Sequence, residues 1–106
     1  MIIGVSGPYS APTDEQRNKN FEAMNIAAAR IYEKGHIPFI GVNMALPIVG
    51  QANVPDNYDA VMEISLAVID KCDAILIIGD SNGVRKERDV LLAKGLPVYY
   101  SLDQIP

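Results

Sequence analysis

Glu87 is the residue of this sequence whose position most needs a reason. It falls three places after Val84 and four before Leu91, so the helical repeat sets it near the apolar stripe of its own helix. Acids are seldom buried without cause, so a carboxylate at this position has a task or a partner. Arg88 lies almost as close to the stripe, so a surface pair of Glu87 with Arg88 satisfies the same spacing. Just upstream, Asp80-Ser81-Asn82-Gly83 forms the turn that opens this helix. Free backbone N–H groups there favour an anion such as a phosphate or carboxylate. Capping by Ser81 or Asn82 needs no ligand, and the two roles are compatible. The third cluster is Gly7-Pro8-Tyr9-Ser10. Gly7 lets the backbone turn closely beneath a ligand, while Tyr9 offers an aromatic face and a hydroxyl to a sugar or base. An ordinary strand-ending turn with a surface tyrosine reads the same way.

Other chemistry-bearing residues carry less. Asp59 and Glu63 sit four apart on one helix face, a spacing shared by paired catalytic carboxylates and by exposed helix surfaces. Asp70 and Asp73 are read as structural, at a helix end and before a strand. His36 follows Lys34-Gly35 and reads as a turn residue. Cys72 is the single cysteine, which rules out an internal disulfide and a thiolate metal site and leaves a small buried hydrophobe. Neither the dinucleotide glycine pattern nor a Walker loop occurs, and no Ser/His/Asp or Cys/His triad assembles. No cofactor and no metal are expected.

The elements that must position these residues follow from hydrophobic spacing. Ile2–Ser6 predicts a short strand closed by Gly7-Pro8. Thr13 is a helix cap with Gln16 three residues on to complete a capping box. Phe21, Met24, Ala28 and Ile31 then face the core until Lys34-Gly35 ends the helix. Ile37–Val42 predicts an edge strand, because Pro38 has no N–H to donate and is tolerated only at a strand's first position or on an edge. From Asn43 to Pro55, Pro47, Gly50, Asn53 and Pro55 interrupt any period, which predicts one long loop, and long loops in compact domains tend to be functional. Asp56 or Asn57 caps a helix with a stripe of Val61, Ile64, Leu66, Val68 and Ile69. Ala74–Ile78 is the most apolar run, a strand covered on both faces and therefore central in a parallel sheet. A turn at Gly79–Gly83, a helix over Val84–Lys94 and a strand over Leu96–Tyr100 complete the chain.

The predicted fold is a single doubly wound α/β domain: a four-stranded parallel sheet in the order 2-1-3-4 flanked by three helices. In such a sheet the reversal of winding between strands one and three opens a crevice at their carboxyl ends, where ligands bind. The turns at Gly7–Ser10 and Asp80–Gly83 both face it.

Composition sets the outer bounds. The chain has 106 residues, 49% of them apolar, and a net charge of −4, enough for one core and too short for two. Lys and Arg are scattered among acids with no basic stripe, so nucleic acid is not an expected partner. The apolar run at the N-terminus is too short for a signal segment and no other run approaches membrane-spanning length. A cytoplasmic protein that neither enters nor crosses a membrane is expected.

Taken in order, Ser6-Gly7-Pro8-Tyr9, Lys34-Gly35-His36-Ile37-Pro38-Phe39, Cys72-Asp73-Ala74, Asp80-Ser81-Asn82-Gly83-Val84-Arg85-Lys86-Glu87 and Gly95-Leu96-Pro97-Val98-Tyr99-Tyr100 resemble the nucleoside 2-deoxyribosyltransferase-like proteins, in particular short members without assigned function. The resemblance spans nearly the whole chain. It implies a doubly wound fold and cleavage of the N-glycosidic bond of a nucleoside or nucleotide. Glu87 matches the glutamate that attacks the anomeric carbon, and Tyr9 an aromatic residue near the substrate. With the two turns that face the crevice and the Asn43–Pro55 loop, which is expected to set the choice of substrate, the expected contact set is Gly7, Pro8, Tyr9, Ser10, Asn43, Asp80, Ser81, Asn82 and Gly83. An aspartate that handles the base has its nearest match at Ser65, with Glu63 close by. That substitution favours a rival expectation, a non-catalytic nucleotide- or nucleotide-sugar-binding module. The resemblance also implies a homodimer or larger assembly.

Overall fold

The computed structural model describes all 106 residues. Its strands are β1 (Ile2–Ser6), β2 (Ile37–Ile40), β3 (Ala74–Ile77) and β4 (Val98–Tyr99), and its helices α1 (Asp14–Glu33), α2 (Gly41–Gln51), α3 (Asn57–Ile69) and α4 (Asn82–Ala93). A 3₁₀ turn at Leu102–Gln104 follows β4. The four strands form one parallel sheet in the order β2-β1-β3-β4, as the hydrophobic pattern predicts.

β3 shows why the sheet needs cover on both faces. Ala74 and Leu76 join Ile3, Val5, Met24, Ile31 and Ile105 in one cluster against α1. Ile75 and Ile77, pointing the other way by the two-residue repeat of a strand, join Ile69, Val84 and Leu91 beneath α3 and α4. All four β3 residues are buried, which accounts for the unbroken apolar run.

Local signals set most boundaries. Thr13 Oγ1 accepts from the Gln16 N–H at 3.2 Å, but the Gln16 side chain donates to Asn20 rather than back to Thr13, so only half of the expected capping box forms. Asp56 caps α3 by accepting from the Asp59 N–H, and Ser81 caps α4 by accepting from the Val84 N–H. Gly35 and Gly95 end α1 and α4 at φ of 92° and 69°, a region that only glycine enters freely. The second strand lies at the sheet edge with Pro38 inside it, where a missing N–H costs least.

The segment from Asn43 to Pro55 corrects the expectation of a long loop. α2 occupies Gly41–Gln51, with Pro47 inside it, so the sheet is flanked by four helices rather than three, and β2 stops at Ile40. Gly41, Ala45 and Val49 are buried at four-residue spacing, and small apolar residues at that spacing let α2 pack closely on α3. That burial outweighs the hydrogen bond Pro47 cannot donate. In α3 the buried positions are Met62, Ser65 and Ile69, a stripe rotated from the predicted one so that a serine faces inward.

Candidate functional site

The carboxyl ends of β1 and β3 lie beside one cleft of about 420 Å³, a size that suits a small organic ligand. The turn after β1 supplies Gly7, Pro8, Tyr9 and Ser10. The opening of α4 supplies Ser81, Asn82, Gly83 and Val84, with Glu87 one turn further on. α2 contributes Val42 and Leu46, and α3 contributes Asn57, Tyr58, Val61 and Met62. One wall is thus aliphatic and aromatic, the other a run of hydroxyl, amide and backbone groups.

Glu87 is the one acid among these lining residues. It retains 9% of its surface, enough to reach the cleft and little enough to strip it of most water. Ser6, the last residue of β1, donates its hydroxyl to Glu87 Oε1 at 2.8 Å. Ser65, on the inward stripe of α3, donates to Oε2 at 2.6 Å. Both serines are almost fully buried. Three elements therefore converge on one carboxylate, and each oxygen has one neutral donor. Burial pushes the Glu87 carboxyl above its usual range, and the Ser65 and Ser6 hydrogen bonds pull it back. Desolvation disfavours the charged form, while hydrogen bonds donated to that form favour it.

Ser65 is held against α2 as well. A methyl group added at Gly41 would overlap its hydroxyl and crowd its Cβ, so only glycine fits at the start of α2 opposite the serine. Tyr9 is fixed on the other side: its ring packs edge-on against Phe21 with centroids 5.0 Å apart, and its carbonyl accepts from Asn20 Nδ2. At the rim, Lys86 places its ammonium 5.2 Å from the ring centre of Tyr58.

Of the ten expected site residues, eight line this cleft. Asp80 does not: it is exposed and grips Arg85 through both oxygens, at 3.0 and 2.7 Å. The Arg85 guanidinium holds its carboxyl below the usual range. Asn43 lies on the exposed side of α2 and donates to Asn25 of α1. Arg88 pairs with Asp89, not with Glu87, so the alternative reading of Glu87 as half of a surface pair gives way to the serine clamp. Asp73 accepts from the Ile2 N–H at 2.7 Å, the structural role expected of it. Cys72 is buried, with its thiol pushed up by burial, which leaves it a poor nucleophile.

Sequence spacing missed Ser6 and the whole α2–α3 wall. A polar residue closing an apolar strand just before Gly7-Pro8 was the available signal for Ser6. The four-residue spacing of Gly41, Ala45 and Val49 was the signal for α2. No group of three or more His, Cys, Asp or Glu side chains is placed to hold a metal ion. The arrangement can orient a ring against the apolar wall, hydrogen-bond hydroxyls along the polar one, and offer a desolvated carboxylate between them.

Comparison with known proteins gives a family without an assigned activity. No curated protein matches the chain at a significant level. A family described as a domain of unknown function, DUF4406, matches residues 1–100, nearly the entire sequence, so this chain belongs to the DUF4406 family.

Proposed function

We propose that the protein is an enzyme of N-glycosidic bond chemistry, acting on a nucleoside or nucleotide with Glu87 as nucleophile. One observation carries the reading: a glutamate buried at the floor of a cleft, held on both oxygens by Ser6 and Ser65 and open to the cavity. The sequence resemblance to the nucleoside 2-deoxyribosyltransferase-like proteins supports the same role for the same residue. In this reading the base lies along Val42, Leu46, Val61 and Met62 with Tyr9 at its edge, and the sugar faces Glu87. One carboxylate oxygen attacks the anomeric carbon as the bond to the base nitrogen breaks and its electron pair leaves with the base. The transition state has oxocarbenium character, which a nearby carboxylate stabilises, and the covalent glycosyl ester divides one hard displacement into two easier ones. Water or a second base then attacks the anomeric carbon as the ester C–O bond to Glu87 breaks. The proton of the incoming group passes to the base anion released in the first step or to solvent, and the two serine hydroxyls hydrogen-bond the carboxylate that is restored.

A second reading is favoured by a specific feature. No acid other than Glu87 lines the cleft, so a leaving base has no carboxylic acid to protonate it. A non-catalytic nucleotide- or nucleotide-sugar-binding module needs no such group. The proposed enzyme is cytoplasmic and self-associating. No helix is long and apolar enough to cross a membrane, and exposed Met44 and Ile48 on α2 offer apolar surface to a second copy; sedimentation velocity that finds only monomer at micromolar concentration would count against the assembly.

The deciding experiment incubates wild type and Glu87→Gln with deoxyribonucleosides and their 5′-monophosphates, with and without a second free base, and follows products by chromatography. Free base or exchanged nucleoside is expected from wild type, with a loss of at least ~10³-fold in the variant, the scale of removing a covalent nucleophile. Absence of turnover across the panel, with ligand-induced thermal stabilisation kept, turns the assignment to the binding module.

A further inference from the structure

The charge inventory around Glu87 is one-sided. None of the residues lining the cleft is Lys, Arg or His. The cations nearest in sequence are all engaged elsewhere: Arg85 on Asp80, Arg88 on Asp89, and Lys86 over the Tyr58 ring. The groups that do face the carboxylate, Ser6 from β1 and Ser65 from α3, are neutral hydroxyls, and no charged side chain contributes to the shift of its titration. An ionised glutamate in this cleft is a buried negative charge without a counter-charge.

Such a charge is costly unless something compensates it. The serines occupy one acceptor position on each oxygen. A carboxylate has about four in all, so roughly two remain for a donor arriving through the cleft. Tyr9 also lines the cleft, and an aromatic ring favours the same kind of visitor, since ring quadrupoles attract cations; the ring of Tyr58 is already taken by Lys86. The opposite wall, Val42, Leu46, Val61 and Met62, asks for an apolar arm.

We infer that the cleft is cation-selective: its best ground-state ligand pairs a protonated amine with Glu87 and lays an apolar or aromatic arm along α2 and α3. The inference rests on the reading of this cleft as a ligand site, but it requires no turnover.

The test compares two probes by calorimetry near neutral pH: an N-benzyl dihydroxypyrrolidine, protonated on its ring nitrogen, and a benzyl-substituted dihydroxycyclopentane, its neutral counterpart of the same shape. Wild type is expected to bind the amine ~10-fold or more tightly than the carbocycle, the scale of a charge-assisted hydrogen bond. Glu87→Gln is expected to erase that preference. In wild type the preference also shrinks as the pH is lowered and Glu87 takes up a proton, which decides the matter if the variant proves misfolded by circular dichroism. Equal affinities, no binding of the amine, or a preference that survives Glu87→Gln in a folded variant overturns the inference. Turnover without amine preference refutes this inference alone; amine preference without turnover refutes the glycosidic reading alone.

Discussion

A carboxylate at the floor of a cleft pulls stability and function in opposite directions, and Glu87 makes the conflict measurable. Its folded-state titration lies above the ordinary carboxyl value because burial dominates, with Ser65 and Ser6 opposing. A raised value means that the folded protein holds this proton more tightly than the unfolded chain does. The linked stability is fully present below the unfolded value and is lost as pH rises through the folded one. Glu87→Gln, which removes the charge and keeps the shape, is therefore expected to raise the melting temperature at neutral pH. The advantage should fade as pH drops below the ordinary carboxyl range, and thermal unfolding across that range checks it. A variant no more stable than wild type at neutral pH would show that the serine clamp fully offsets the desolvation. At this scale the sequence was partly legible. The spacing of Val84, Glu87 and Leu91 placed the acid on the inward stripe, because a helical repeat is local. Its partners were not legible, since Ser6 and Ser65 come from two other elements and only the folded chain brings them within 2.8 and 2.6 Å.

α2 is where local preference and tertiary packing disagree. Pro47 and Gly50 argue against a helix on propensity alone, yet Gly41, Ala45 and Val49 bury one face of it. Val42 and Leu46, one position on from Gly41 and Ala45, become cleft lining. An element of this kind is recognised by the contact it completes rather than by its own residues, and for that reason the α2–α3 wall stayed hidden in the sequence while α1, α3 and α4 did not. Gly41 is the point at which α2 and the site are coupled. Gly41→Ala adds a methyl where the Ser65 hydroxyl sits, so the serine must shift or turn away from Glu87. The expected cost is ~1–3 kcal/mol, the range for overpacking, measured by urea denaturation. A second consequence separates steric loss from site disruption. With the Ser65 hydrogen bond weakened, the Glu87 titration should move further up, visible by carbon NMR of the labelled carboxyl. An unchanged titration would mean that Ser65 keeps its bond and that the strain is absorbed elsewhere.

For the whole molecule, the order 2-1-3-4 was readable because it depends on few facts: an apolar first run, an unalternating run at Ala74–Ile78, and connections long enough to cross over. Strand ends were less so. β4 is two residues long where five were expected, and β2 stops at Ile40. A ladder ends where the neighbouring strand stops offering partners, and that is not a property of the strand's own residues. The two core clusters meet across β3, which gives Ala74 and Leu76 to one and Ile75 and Ile77 to the other. Loss of β3 packing therefore weakens both faces together.

The pairing of β1 has a consequence for how the chain becomes a protein. β1 is made before the other three strands of its sheet, and it lies between β2 and β3. Its first ladder, Ile2 with Ile37, closes around α1, but its second, Ile3 with Ala74, waits for α2 and α3 to be synthesised and gathered. Closing long loops costs entropy before the contacts return it. During that interval one edge of β1 and its apolar residues stand open to any other nascent strand. The middle of the finished sheet is thus, until β3 has been made, its unguarded margin.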